Sequence, residues 1–205
     1  MNTATELAPG FDDPVHKGQQ AFRAVLDALA RPGRIECLPG LPERVPGLGA
    51  ASAAIALALV DFETPVWLDA ASAGAADFLR FHCGCAIVDD PRRAHFAFAK
   101  GFDNLPSLDS FSLGSDDAPQ DSTTLIVEVA DLFTEGPLVL SGPGIERQHR
   151  LGVAGFDTDR IAERMHLAEL FPRGLDVFLT CGQRVAGLPR TTRIHSLRSE
   201  PCTSR

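Results

Sequence analysis

The stretch that most constrains how this chain folds lies near its C-terminus, in residues 171–192, FPRGLDVFLTCGQRVAGLPRTT. Leu175-Asp176-Val177-Phe178-Leu179 is its main apolar run, and the turn formers Pro172, Gly174, Gly182 and Gly187 punctuate the segment. That pattern predicts a strand buried on both faces, a turn, and a second strand ending at Pro189. The second strand runs into Arg190-Thr191-Thr192-Arg193, two guanidinium groups separated by two hydroxyls. Arg190, Thr191, Thr192 and Arg193 are therefore candidate phosphate ligands, since Arg supplies a fork of donors and Thr a hydroxyl. The competing outcome is an exposed edge whose arginines are solvated, the common fate of isolated surface charges.

The rest of the chain alternates strand and helix signals. Asp13-Pro14 supplies an N-cap and a proline at the first helical position, and Phe22, Val25, Leu26 and Leu29 follow at helical spacing until Arg31-Pro32-Gly33. A short strand is expected over residues 34–38, an Ala-rich buried helix over 50–59, a strand over 64–69 and a helix over 72–82. Residues 86–88 read as a buried strand and 94–99 as another, while 101–122 read as a long variable loop with one helical turn. Residues 123–130 and 138–140 read as strands joined by 133–137, and 145–153 as an edge strand. Three strands in succession without helices predict an antiparallel part. A last helix, capped at Asp157 or Thr158, presents Ile161, Met165 and Ala168 on one face. The fold class is α/β, a three-layer α/β/α-like mixed sheet with an antiparallel part. Residues 1–205 are expected to form one domain, with residues 1–12 and 196–205 as flexible tails.

Composition narrows the function. A formal net charge of −8 argues against a nucleic-acid binder and against a polybasic membrane-surface protein. No apolar run is long enough to span a bilayer, and five cysteines without a signal peptide predict a reduced, cytoplasmic protein. Only Lys17 and Lys100, against 17 arginines, could carry lysine chemistry such as a Schiff base with pyridoxal phosphate, and neither position reads as desolvated; no cofactor is expected.

Several clusters invite a chemical reading and have a plainer one beside it. His82, Cys83 and Cys85 lack the second ligand pair of a structural zinc site, which favours small buried thiols, and Cys181 reads as core. Ser141-Gly142-Pro143-Gly144 is no P-loop, since Pro143 has no N–H and no Lys follows, and a reverse turn is favoured. Arg31 faces the negative end of a helix dipole. Asp176, set in an apolar run, must be paired or hydrogen-bonded. No Ser-His-Asp arrangement is legible, and no catalytic residue is assigned.

In order along the chain stand Phe22-Arg23, Leu29-Ala30-Arg31-Pro32-Gly33, Thr64-Pro65-Val66-Trp67-Leu68 and Leu79-Arg80-Phe81-His82. They are followed by Leu140-Ser141-Gly142-Pro143-Gly144-Ile145, Phe171-Pro172-Arg173-Gly174-Leu175-Asp176, Leu179-Thr180-Cys181-Gly182 and Pro189-Arg190-Thr191-Thr192. Together these motifs resemble the PhnH family, subunits of the bacterial carbon-phosphorus lyase machinery that degrades organophosphonates under phosphate limitation. The resemblance implies a pyridoxal-phosphate transferase fold without the cofactor, a homodimer, and assembly with the G, I and J subunits into a core complex. It further implies a place, with the G, I and L proteins, in a transferase step. There a phosphonate displaces adenine from ATP to give a ribose 1-phosphonate 5-triphosphate, and the radical-SAM J subunit cleaves the carbon-phosphorus bond later. The role implied for this subunit is structural or accessory, the alternative being direct phosphate or nucleotide binding through residues 190–193.

Overall fold

A computed structural model describes residues 7–103 and 105–196. Helix α1 (Pro14–Ala30) is capped by Asp13, which accepts from the His16 N–H at 3.1 Å, and is followed by strand β1 (Ile35–Cys37). Helix α2 (Ala50–Leu59), strand β2 (Val66–Leu68), helix α3 (Ala76–Cys83) and strand β3 (Phe96–Lys100) come next. Then follow β4 (Thr124–Glu128), β5 (Leu132–Ser141), β6 (His149–Val153), helix α4 (Thr158–Ala168), β7 (Asp176–Cys181), β8 (Arg184–Leu188) and β9 (Arg193–Ser196).

Six strands form one mixed sheet in the order β1-β8-β7-β4-β3-β2, with β2, β3, β4 and β7 parallel and both β8 contacts antiparallel. The central strands are buried on both faces, and alternation divides them between two cores. Phe98, Ile126 and Phe178 stand in register across β3, β4 and β7 and pack with α1, α2 and α3. Ala97, Leu125 and Val177, with Ala99, Val127 and Leu179, point to the other face. That second face is covered by α4, by residues 101–113, and by a three-stranded antiparallel sheet, β6-β5-β9. The α/β class with a mixed sheet is as expected, but the third layer is part sheet rather than helix alone. The separate antiparallel sheet is β5, β6 and β9, β8 adds antiparallel pairs within the large sheet, and β4 belongs to the parallel strands.

Four local expectations are corrected. Among the described residues, 86–88 make one bridge, Ile87 to Val66, and Ala86 is exposed, so the segment is no buried strand. Residues 133–137 do not separate two strands; they continue β5, whose pairing with β6 shifts between Thr134 and Leu138. The described residues of 101–122 form the expected loop, with two short helical turns (Leu108–Ser110 and Pro119–Asp121) where one was expected, and several of its side chains join the core. Phe102, Leu105, Leu108 and Phe111 are buried, Phe111 meets Trp67 edge-on at 5.5 Å, and Arg160 of α4 donates to the carbonyls of Phe102, Leu105 and Pro106. In α4 the buried residues are Ile161, Arg164 and Leu167, while Met165 is exposed.

Helix α1 also buries a different face from the one its large residues mark. Ala21, Val25 and Ala28 are buried, and Phe22 and Leu26 are about half exposed. The cause is close contact with the sheet: a Cβ on Gly187 of β8 would lie 2.5 Å from the Ala28 carbonyl oxygen. Only small side chains fit where helix and strand backbones come this near. Helix α2 shows the same economy, with Ser52 Oγ and Thr180 Oγ1 satisfying each other at 2.9 Å inside the core. The expected tails lie mostly outside the described residues, although Ala8 is buried and its carbonyl meets His82 Nε2 at 3.0 Å.

Gly187→Ala is expected to destabilise the fold by about 2 kcal/mol or more, through overpacking against Ala28. Gly18→Ala in α1, where a Cβ meets nothing within 4 Å, is expected to stabilise it by up to about 1 kcal/mol through helix propensity. Urea unfolding midpoints read both, and equal signs would contradict the packing described.

Candidate functional site

Pairing of β5 with β9 sets Ser141 opposite Arg193, so the turn that follows Ser141 lies against the turn that precedes Arg193. Between them is a cavity of about 480 Å³ lined by Ser141, Gly142, Pro143, Phe171, Thr191 and Arg193, with Arg190 and Ala168. Ser141 Oγ is 3.0 Å from His195 Nε2, two residues along β9.

The four candidate residues are distributed unequally around this cavity. Arg190 touches it but its fork is engaged within the protein. Nε bonds Asp176, Nη1 donates to the carbonyls of Pro119 (2.6 Å) and Pro172 (3.2 Å), and Nη2 donates to Ser122 Oγ (2.7 Å) and Asp176 Oδ2 (2.6 Å). All five guanidinium N–H donors have acceptors. The Arg190 backbone N–H also donates to Asp176 Oδ1 at 2.8 Å. Asp176, 23% exposed in its side chain against 16% for Arg190, has thereby the partner that its apolar surroundings require. Thr192 is turned inward, 1% exposed, with its N–H on the Pro189 carbonyl. Thr191 and Arg193 are the members that face the cavity without such ties: Arg193 is exposed and joins no ion pair among the described residues.

One residue of this region escaped the sequence reading. Arg164 is 2% exposed, donates through Nη2 to the Pro189 carbonyl at 2.6 Å, and has no partner at Nε or Nη1. Burial pushes its guanidinium down to about 10, against the pull of nearby Asp176 and with the push of Arg190. The signal was the spacing Ile161, Arg164, Leu167, which places an arginine on the buried stripe; Met165 was the more apolar choice and drew the stripe one position too far.

The bacterial phosphonate metabolism protein family, PhnH, matches this chain over residues 9–195. The chain belongs to the PhnH family. The alpha-D-ribose 1-methylphosphonate 5-triphosphate synthase subunit PhnH of Rhizobium meliloti (strain 1021) is 38% identical over 197 residues, 95% of this chain and 98% of that protein. The putative C-P lyase subunit protein HtxG of Stutzerimonas stutzeri is 33% identical over 178 residues, 86% of this chain and 85% of its own.

Several of the motifs that carry the PhnH resemblance meet in space. The turn after Ser141 fits against the end of α1 so tightly that a Cβ on Gly144, at φ +82°, would lie 2.2 Å from the Ala30 carbonyl oxygen. Residues 30–33, 140–145 and 189–192, far apart in the chain, thus form one contiguous region beside the Asp176–Arg190 pair.

Other sequence clusters have structural settings. His82 packs against Phe78 at a tilt of 49°, Cys83 Sγ faces the Ala56 carbonyl at 3.7 Å, and Cys85 is buried. Among the described residues no group of three His, Cys, Asp or Glu side chains could hold a metal ion. Cys181 is half-buried rather than core, between the Ala130 carbonyl and Arg184 Nη2. Lys17 pairs with Asp12 at 2.6 Å and Lys100 with Glu128 at 3.8 Å.

Two measurements follow from this geometry. Arg190→Ala strands Asp176 and the partly buried carbonyls of Pro119 and Pro172 and is expected to cost about 2–3 kcal/mol of stability, discounted for partial exposure. Arg193→Ala is expected to stay within about 0.5 kcal/mol of the parent in the same urea titration. Burial pushes the Cys83 thiol up to about 12, so it stays protonated at neutral pH and its alkylation rises only as pH approaches that value. Exposed Cys37 is therefore expected to be alkylated well before Cys83 at neutral pH, as followed by mass spectrometry.

Proposed function

We propose that this chain is an accessory subunit of an alpha-D-ribose 1-methylphosphonate 5-triphosphate synthase, part of a carbon-phosphorus lyase assembly in organophosphonate catabolism. The observation that carries this reading is the near end-to-end match to the Rhizobium meliloti synthase subunit, which covers 95% of this chain and 98% of that one. The assembly transfers a phosphonate onto the ribose of ATP with release of adenine, and this chain supports that step through its contacts with other subunits. Its partners are a second copy of itself and the G, I and J subunits. Two observations favour a supporting role: Arg190 spends its donors on the fold, and large apolar side chains such as Val15, Phe22, Leu26, Phe62 and Phe81 stand outward. None of the described helices is long and apolar enough to cross a membrane. The likeness to a pyridoxal-phosphate transferase fold without its cofactor belongs to the same proposal; the mixed sheet is compatible with it, and both lysines are held by acidic partners.

A second reading is favoured by the cavity beside Ser141. There the chain itself holds a phosphate or nucleotide, with Thr191 and Arg193 as donors and Arg190 positioning the turn between them.

Co-expression with the other lyase subunits separates the two. The accessory reading expects the chain to co-purify with them and to turn over neither ATP nor methylphosphonate alone, and a chain that stays apart from them overturns it. The second reading expects the isolated protein to bind ATP, with binding weakened about tenfold in Arg193→Ala; unchanged binding in that variant removes it.

A further inference from the structure

The turn after Ser141 has a second side. Beyond the cavity described above, Gly144, Ile145, Arg147, Gln148 and His149 line a cleft of about 380 Å³ with Arg31, Pro32 and Arg34 of the loop that ends α1. Three of its lining side chains are guanidiniums and one, Glu146, is a carboxylate, in a chain of net charge −8. We infer that this cleft is a distinct oxyanion site that takes a phosphate-bearing small molecule on Arg31, Arg34 and Arg147.

Three features support it. First, the donors are available. Arg147 joins no ion pair among the described residues, Arg34 engages Glu36 through Nε alone at 3.3 Å, and Arg31 engages Asp27 through Nη2. The Arg31 and Arg34 pairs are largely exposed and of the kind that adds little stability, so an incoming dianion competes for them. Second, the two loops that carry the arginines are locked together. Gly144 sits on the Ala30 carbonyl, and a Cβ on Gly33, at φ +80°, would lie 2.4 Å from Leu140 Cδ1 and 3.0 Å from the His149 ring. The cations are therefore held near one another before any ligand arrives, which lowers the ordering cost of binding. Third, of the lining residues only Pro32 and Ile145 carry wholly apolar side chains, and the volume lies in the range of small-molecule sites, about 300–1,000 Å³. Those properties fit a compact oxyanion better than an apolar protein segment, and the acidic whole disfavours nucleic acid.

This inference does not depend on the subunit assignment, because it concerns the isolated chain. Inorganic pyrophosphate is the probe, titrated into the full chain by calorimetry at low salt. Modification of arginines by phenylglyoxal, mapped by mass spectrometry with and without pyrophosphate, locates the site. Pyrophosphate is expected to protect Arg34 and Arg147 but not Arg92, and to bind about tenfold more weakly in Arg31→Ala and Arg147→Ala, with no change in Arg92→Ala. Far-ultraviolet circular dichroism confirms that the variants fold. Absence of binding overturns the inference. So does protection confined to Arg193, which would assign the anion to the cavity on the other side of the turn.

Discussion

The guanidinium of Arg190 ties together the segments on which the C-terminal half of the molecule rests. It reaches the first residue of β7 through Asp176, the end of the 101–122 segment through Pro119 and Ser122, and the chain entering β7 through Pro172. Its neighbour Pro189 receives Arg164 from α4. The Arg190 charge, largely withdrawn from water, is offset because each of its donors finds an acceptor, and those acceptors come from separate stretches of chain. The cost of desolvation thus becomes a demand that these segments assemble together. The same demand removes Arg190 from the free cations and leaves Arg193 and Thr191 to face solvent.

Around that junction the sheet has two dissimilar faces. Toward α1 and α2 the backbones approach closely over Ala, Ser and Gly, and the bulk on the sheet side comes from Phe98, Ile126 and Phe178. Toward α4 and the antiparallel sheet the strands offer Ala, Val and Leu, and the covering segments supply Phe102, Leu108 and Phe111. The large side chains alternate between sheet and cover, which lets the layers interdigitate. It also places the antiparallel sheet where its β5 turn meets the end of α1.

Much of this was legible in the residues. The hairpin of β7 and β8 follows from an apolar run bounded by glycines, α2 has the bounds its alanines predict, and α1 begins at the expected Asp13 cap. What failed did so for identifiable reasons. Periodicity weighs residues by apolarity, so it chose Phe22 and Leu26 over Ala21 and Ala28, where close approach to Gly187 reverses the preference. It likewise chose Met165 over Arg164, because a buried cation is visible only once its counter-charge is placed nearby. The strand over 86–88 failed because Val66 offers it a single bridge at the sheet edge. Asp176 and Arg190 lay in one short stretch, yet their pairing depended on a hairpin whose register brings both ends to the same place. The arginine cleft was not legible at all, since Arg31 and Arg147 meet only through the packing of two distant turns.

The order of strands in the large sheet carries a kinetic consequence. Among the described residues, strand β1, early in the chain, pairs only with β8, and the parallel strands β2, β3 and β4 reach the remainder of the sheet only through β7. A nascent chain that has left the ribosome as far as β4 has an open parallel edge, and α1 lacks the strand it lies on. Closure of the sheet waits for the last quarter of the sequence, so the native contacts are dominated by long separations and their formation is slow. Until β7 and β8 arrive, the exposed edge of β4 and the uncovered face of α1 are surfaces that chaperones bind and that aggregation exploits.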